Sequence, residues 1–128
     1  MIPNDWTPYH RIDDGELIGY LQPSAADAEL VMPVTLFGHP LADEPGEDWW
    51  AEQLLEDLGL SYLAERWELL REDGTTSRVV ISECSPEHVV VALAEFAQVI
   101  APNGVDRSTE DWGKKWTLSV PTDRLRPA

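Results

Sequence analysis

Arg11-Ile12-Asp13-Asp14-Gly15-Glu16-Leu17-Ile18-Gly19-Tyr20-Leu21 sets an Asp-Gly pair between two short apolar runs, and it reads as a β-hairpin. A tight turn needs positive φ, which glycine adopts without a Cβ clash. The pattern recurs downstream, where Asp73-Gly74 joins Trp67–Glu72 to Arg78–Cys84. Trp6 opens the first unit and Trp67 the second. Two such units predict two similar meanders, packed as a sandwich or closed into a small barrel. Two unrelated hairpins would leave the same trace.

Outward from these hairpins, most of the chain keeps strand patterning. Leu30, Met32, Val34 and Leu36 alternate with Val31, Pro33, Thr35 and Phe37. Pro33 has no N–H for a ladder, which puts that strand at an edge or on a bulge. Trp116, Leu118 and Val120 alternate with Lys115, Thr117 and Ser119 as a half-buried strand. Residues 102–113 read as a polar loop and 121–128 as an extended C-terminal tail. Two segments are ambiguous between strand and helix. Over 61–70 a strand from about Arg66 is favoured by the hairpin that follows. Over 86–100, Ser85-Pro86-Glu87 is a helix-start signature, but the β-branched run Val89-Val90-Val91 favours a strand after a turn.

The one clear helix lies near 47–58. Trp50, Ala51, Leu54, Leu55 and Leu58 recur at three and four, with Glu52, Gln53, Glu56 and Asp57 opposite. Asp48 is positioned to cap its first turn, and Gly59 to take the left-handed position after it, with Leu60 packing back on Leu55. Glu56 and Asp57 oppose the dipole at its C-terminal end by roughly a few tenths of a kcal/mol each, a local rule broken without an evident reason. The expected class is α+β, predominantly antiparallel β, in one domain over 1–128.

Composition supports a real core. The chain has 128 residues and 43% apolar content, and a domain of this size buries roughly two-thirds of its unfolded surface. Nine Lys and Arg face 24 Asp and Glu, for a formal charge of −15. That argues against direct nucleic-acid binding and against anionic membrane, both of which call for basic patches. No basic n-region or apolar h-region opens the chain, and no apolar run reaches the ~18 residues of a membrane helix, so the expected location is cytoplasmic. Cys84, the single cysteine, reads as a small buried hydrophobe.

The charge is polarised. Residues 1–60 hold 13 acids and one base, Arg11, for a net of −12, whereas 61–128 hold 11 acids and eight bases, for −3. The densest block spans Asp43, Glu44, Glu47, Asp48, Glu52, Glu56 and Asp57, with no Lys or Arg among them. The chain holds six tryptophans, including Trp49-Trp50 within this block and Trp112 with Trp116 near the last strand. Neighbours on a helix point about 100° apart, so if Trp50 faces the core, Trp49 lies at its margin. A tryptophan among carboxylates suits a basic partner, since aromatic anchors carry much binding energy and their faces attract cations. Asp43, Glu44, Glu47, Asp48, Trp49 and Glu52 are therefore the candidate partner-binding residues. The alternative for these rings is cover for the core boundary, or burial by a second copy of the chain.

No catalytic motif is present: no phosphate-cradling glycine loop, no nucleophile elbow, no Cys-x-x-Cys and no His-x-x-x-His. His10, His39 and His88 stand far apart in sequence and become general bases only beside a carboxylate in the fold. The Asp13-Asp14-Gly15-Glu16 turn lacks the spacing of a calcium loop. No metal, no cofactor and no enzymatic activity are indicated.

Tyr9-His10-Arg11-Ile12-Asp13-Asp14-Gly15, Val34-Thr35-Leu36-Phe37-Gly38-His39-Pro40-Leu41 and Leu60-Ser61-Tyr62-Leu63-Ala64-Glu65 together resemble a family of small acidic actinobacterial proteins without an assigned activity. Seven Arg against two Lys suits a high-GC genome. The resemblance implies no catalytic residues and no cofactor. Two functions follow from the residues themselves. One is a cytoplasmic, non-enzymatic interaction or regulatory module that docks a basic protein surface, in its more specific form by mimicking nucleic acid. The other is a small β-fold that binds or transforms a ligand in an aromatic-lined pocket with His10, His39, Tyr20 or Arg11.

Overall fold

A computed structural model describes residues 1–27, 29–94 and 115–128. The polar loop expected over 102–113, Trp112, and the end of the ambiguous 86–100 segment lie outside the described residues. The remainder forms two antiparallel sheets and one α-helix, the α+β architecture that the hairpin patterning predicts. The first sheet orders β1 (Thr7–His10), β2 (Leu17–Pro23) and β3 (Val31–Val34) as a meander. The second contains β4 (Arg66–Leu70), β5 (Thr76–Cys84), β6 (His88–Leu93), β7 (Lys115–Ser119) and β8 (Leu125–Pro127), in the order β7-β6-β5-β4-β8. Both orders are linear, so among the described residues neither sheet closes into a barrel.

Both Asp-Gly turns have the predicted backbone, with φ of 73° at Gly15 and 89° at Gly74. Pro33 lies in β3, whose one strand partner among the described residues is β2, and its carbonyl accepts from the Leu41 N–H outside the sheet. In the ambiguous segments the strand prevails as far as the structure describes them. A 3-10 turn at Ser61–Ala64 leads into β4, and Ser85 makes a turn into β6 by accepting the Glu87 and His88 N–H groups on its hydroxyl. The expected extended tail is drawn into the second sheet. Leu125 pairs with Leu69 and is buried, because its side chain completes the apolar face of β4.

The helix α1 (Asp48–Leu58) packs on β2 and β3 through fully buried Ala51 and Leu55. Gly19 of β2 makes that approach feasible. A Cβ there would meet the Val34 carbonyl oxygen at 2.6 Å and a Leu55 methyl at 2.7 Å. Two details of the helix ends differ from expectation. The N-cap is Glu47 with no side-chain cap bond, so Asp48 is a first-turn acid rather than the cap. Gly59 ends the helix at φ 56° and ψ −128°, outside the left-handed helical well, while its N–H still bonds the Leu55 carbonyl at 2.8 Å.

Two apolar clusters result. Ile18, Leu21, Ala51 and Leu55 lie under the helix, with Leu60 packed against them. Phe37, Tyr62, Trp67, Leu69, Val79, Val89, Val91, Leu118, Val120 and Leu125 fill the face of the second sheet. Tyr62 couples the two halves: its hydroxyl donates to the Ile18 carbonyl at 2.8 Å and accepts the Leu36 N–H at 3.0 Å. No helix of the described residues is long and apolar enough to cross a membrane.

Candidate functional site

The acidic block is built as one ledge. Paired bonds between Val31 and Gly46, 2.8 and 2.9 Å, close the loop after β3, and the Leu41 N–H bonds the Pro33 carbonyl. Held at both ends, this loop presents Asp43 and Glu44 to solvent directly before α1. Glu47, Asp48 and Trp49 continue the exposed surface, while Glu52 is half-buried within electrostatic reach of Tyr9. The six predicted partner-binding residues thus fall on one loop and the first turns of the helix that follows.

The adjacent tryptophans separate as helix geometry requires. Trp50 is half-buried against the cluster under α1, with its ring lying over Gly46 where a Cβ would meet it at 2.5 Å. Trp49 is 68% exposed, and its indole N–H donates to Glu47 Oε2 at 2.7 Å. Between loop and helix runs an open groove of about 480 Å³, with Asp43 and Glu44 on its rim and Pro45 and Trp50 in its walls. Pro45, Gly46 and the role of Trp50 as a wall were not singled out in the sequence, although the Pro-Gly pair beside an aromatic residue was a visible cue.

Arg11, the one base of residues 1–60, does not neutralise this ledge. Its guanidinium is bound to Asp14 at 3.0 Å, a contact that raises the arginine pKa and holds the Asp14 carboxyl below the usual range. Among the described residues, no base pairs with Asp43, Glu44, Glu47, Asp48 or Glu52. Glu56 behaves differently from its expected part as an exposed, dipole-opposing acid. It accepts the Tyr9 hydroxyl at 2.7 Å and the Ile12 N–H at 2.9 Å, tying the helix to the first hairpin. Burial and this hydrogen bond push the Tyr9 phenol up to about 12.

The histidines do not converge. His10 and His88 are exposed on strands, and His39 packs edge-on against Trp67 with ring centroids 5.1 Å apart. Burial lowers the His39 pKa, offset in part by the Leu125 backbone beside it, so the ring is neutral at physiological pH. It borders a cleft of about 320 Å³ with Leu41, Tyr62, Arg66 and Trp67. No carboxylate hydrogen-bonds the ring among the described residues. Cys84 is half-buried and its thiol is pushed up to about 11 by burial, which keeps it protonated. No group of three or more potential metal-binding His, Cys, Asp or Glu side chains assembles among the described residues.

A smaller cavity of about 140 Å³ opens between β2 and the β5–β6 turn, with Tyr20 in its wall. Compared with protein-family models, curated proteins and solved structures, the chain matches none of them.

Proposed function

We propose that this protein is a non-enzymatic interaction or regulatory module of the cytoplasm, whose ledge of Asp43, Glu44, Glu47, Asp48, Trp49 and Glu52 docks a basic protein surface. The observation that supports it is Trp49: a large aromatic side chain left exposed, beside carboxylates that no base pairs with among the described residues. Exposed acids alone keep a protein soluble. An exposed indole does nothing for solubility, and beside carboxylates it complements an arginine or lysine through both ring face and charge. Self-association through this ledge is disfavoured, because a two-fold interface would bring the same acids together. Mimicry of nucleic acid is the specific form of this reading, with the partner a nucleic-acid-binding protein.

Capture from lysate by the full chain tests it, at low and at high salt, beside a Trp49→Ala/Asp48→Asn/Glu44→Gln variant. A basic protein held at low salt, released at high salt and lost from the variant is the expected result. Recovery of no basic protein at low salt, or equal recovery by the variant, rejects the reading.

A second reading, a small-ligand-binding β-fold, is favoured by one observation, the state of the Tyr20 hydroxyl described next.

A further inference from the structure

Three tyrosines are present, and two of their hydroxyls are accounted for within the fold. Tyr9 donates to Glu56, and Tyr62 bonds both Ile18 and Leu36. Tyr20 is only 4% exposed, yet its hydroxyl has no hydrogen-bond partner among the described residues. Folded proteins rarely bury a hydroxyl without a partner, because its desolvation is then uncompensated.

The same side chain borders the 140 Å³ cavity, together with Glu16, Leu17, Leu36, Cys84 and Pro86. Ser85 also lines it, but its hydroxyl is engaged in the β5–β6 turn with Glu87 and His88. Cys84 contributes a neutral wall. Tyr20 and Glu16 are thus the polar groups left to a ligand, against the apolar walls of Leu17, Leu36 and Pro86. A cavity of about 150 Å³ accommodates benzene, which limits an occupant to roughly six to eight non-hydrogen atoms. Its preferred charge follows from the surroundings: Glu16 is exposed without an ion pair among the described residues, Arg11 is held by Asp14, and residues 1–60 carry −12. That field concentrates cations and repels anions.

We propose that this cavity binds a small organic ammonium ion with an apolar body of about benzene size. The Tyr20 phenol oxygen and the Glu16 carboxylate accept from the ammonium head, and Leu17, Leu36 and Pro86 enclose the body. The assignment rests on the second reading above and gives it a ligand class.

Three probes of one shape test it on the full chain: benzylammonium, benzyl alcohol and benzoate, each titrated while the amide resonances of Leu17–Leu21, Cys84 and Ser85 are followed. Benzylammonium is expected to give saturable shifts there, binding about tenfold tighter than the alcohol, with benzoate weakest. Tyr20→Phe keeps the ring and is expected to fold as the parent does while weakening benzylammonium about fivefold. Glu16→Gln is expected to abolish the preference for ammonium over alcohol. Equal or tighter binding of the alcohol or benzoate overturns the ammonium assignment and leaves a ligand site standing. Benzylammonium binding unchanged in Tyr20→Phe removes the hydroxyl from the site and overturns the proposal. No saturable shift from any probe overturns the ligand-binding reading as well.

Discussion

In and beside the five-stranded sheet, several charged side chains are engaged by the fold. Arg126 binds Glu68 at 2.7 Å, Arg124 donates to the Leu70 carbonyl at 3.0 Å, and the Arg71 guanidinium lies 5.1 Å from the Trp116 ring centre. Around α1, Glu56 ties the helix to the first hairpin, whereas among the described residues Asp43, Glu44, Glu47, Asp48 and Glu52 pair with no base. The two regions share an antiparallel hairpin and an apolar cluster, so the difference does not come from fold type. It separates acids that hold structure from acids that are free to meet something else. Trp67 and Trp49 make the same contrast. Trp67 is 3% exposed, with its N–H on the Tyr62 carbonyl, and Trp49 is on the surface.

Substitutions in α1 test that separation directly. Leu55→Ala is expected to cost about 2–5 kcal/mol in chemical denaturation, since it opens a cavity under the helix. Trp49→Ala, six residues earlier on the same helix, is expected to stay within about 0.5 kcal/mol of the parent. A large loss from Trp49→Ala would make its ring structural and blur the contrast. Gly19→Ala is expected to cost about 1–3 kcal/mol, because the new methyl meets the Val34 carbonyl and Leu55.

A finer test compares two neighbouring acids. Glu56→Gln is expected to lose about 1 kcal/mol by weakening the bonds to Tyr9 and Ile12. Asp57→Asn is expected to be neutral or stabilising by about 0.3 kcal/mol, since it removes an exposed acid from the negative end of the helix. Equal losses at both positions would erase the distinction.

Titration adds a direction. The Tyr9 phenol is raised from 10.0 to about 12 in the folded state, so the folded chain holds that proton more tightly than the unfolded chain. Its contribution is fully present below pH 10 and is lost as pH rises toward 12. Tyr9→Phe is expected to flatten the fall of the thermal midpoint over that range, and an unchanged slope would contradict the Tyr9–Glu56 bond. The smallest effect is that of salt. Unpaired acids repel one another, so the thermal midpoint is expected to rise by about 2–4 °C between low and moderate ionic strength.

Much of the fold was legible because hairpins and an amphipathic helix write their periods locally. Asp-Gly turns, the 3.6-residue spacing of Ala51 and Leu55, and Pro33 at an edge each depend on few neighbours. What escaped depends on distant ones. Leu125 joins a strand because β4, far earlier in the chain, offers an edge at Leu69, next to which Arg126 meets Glu68. Glu56 becomes an anchor because the hairpin places Tyr9 and the Ile12 N–H above it. The candidate ledge was legible for the same local reason as the helix, since loop and helix are contiguous in the chain. Tyr20 was a named candidate for a pocket, but its companions in the cavity were not legible, because the walls come from β2, the loop after β3 and the β5–β6 turn.

The central claim is that the exposed acids around Trp49 form a docking surface rather than a merely solvated one. An arginine-rich peptide titrated into the full chain at low salt, with amide and indole resonances followed by NMR, tests it most directly. The account predicts shifts centred on residues 43–52 and on the Trp49 indole N–H, and binding about tenfold weaker in Trp49→Ala. Shifts spread equally over exposed acids elsewhere, such as Glu83, Glu87 and Asp123, with Trp49→Ala binding like the parent, would contradict it.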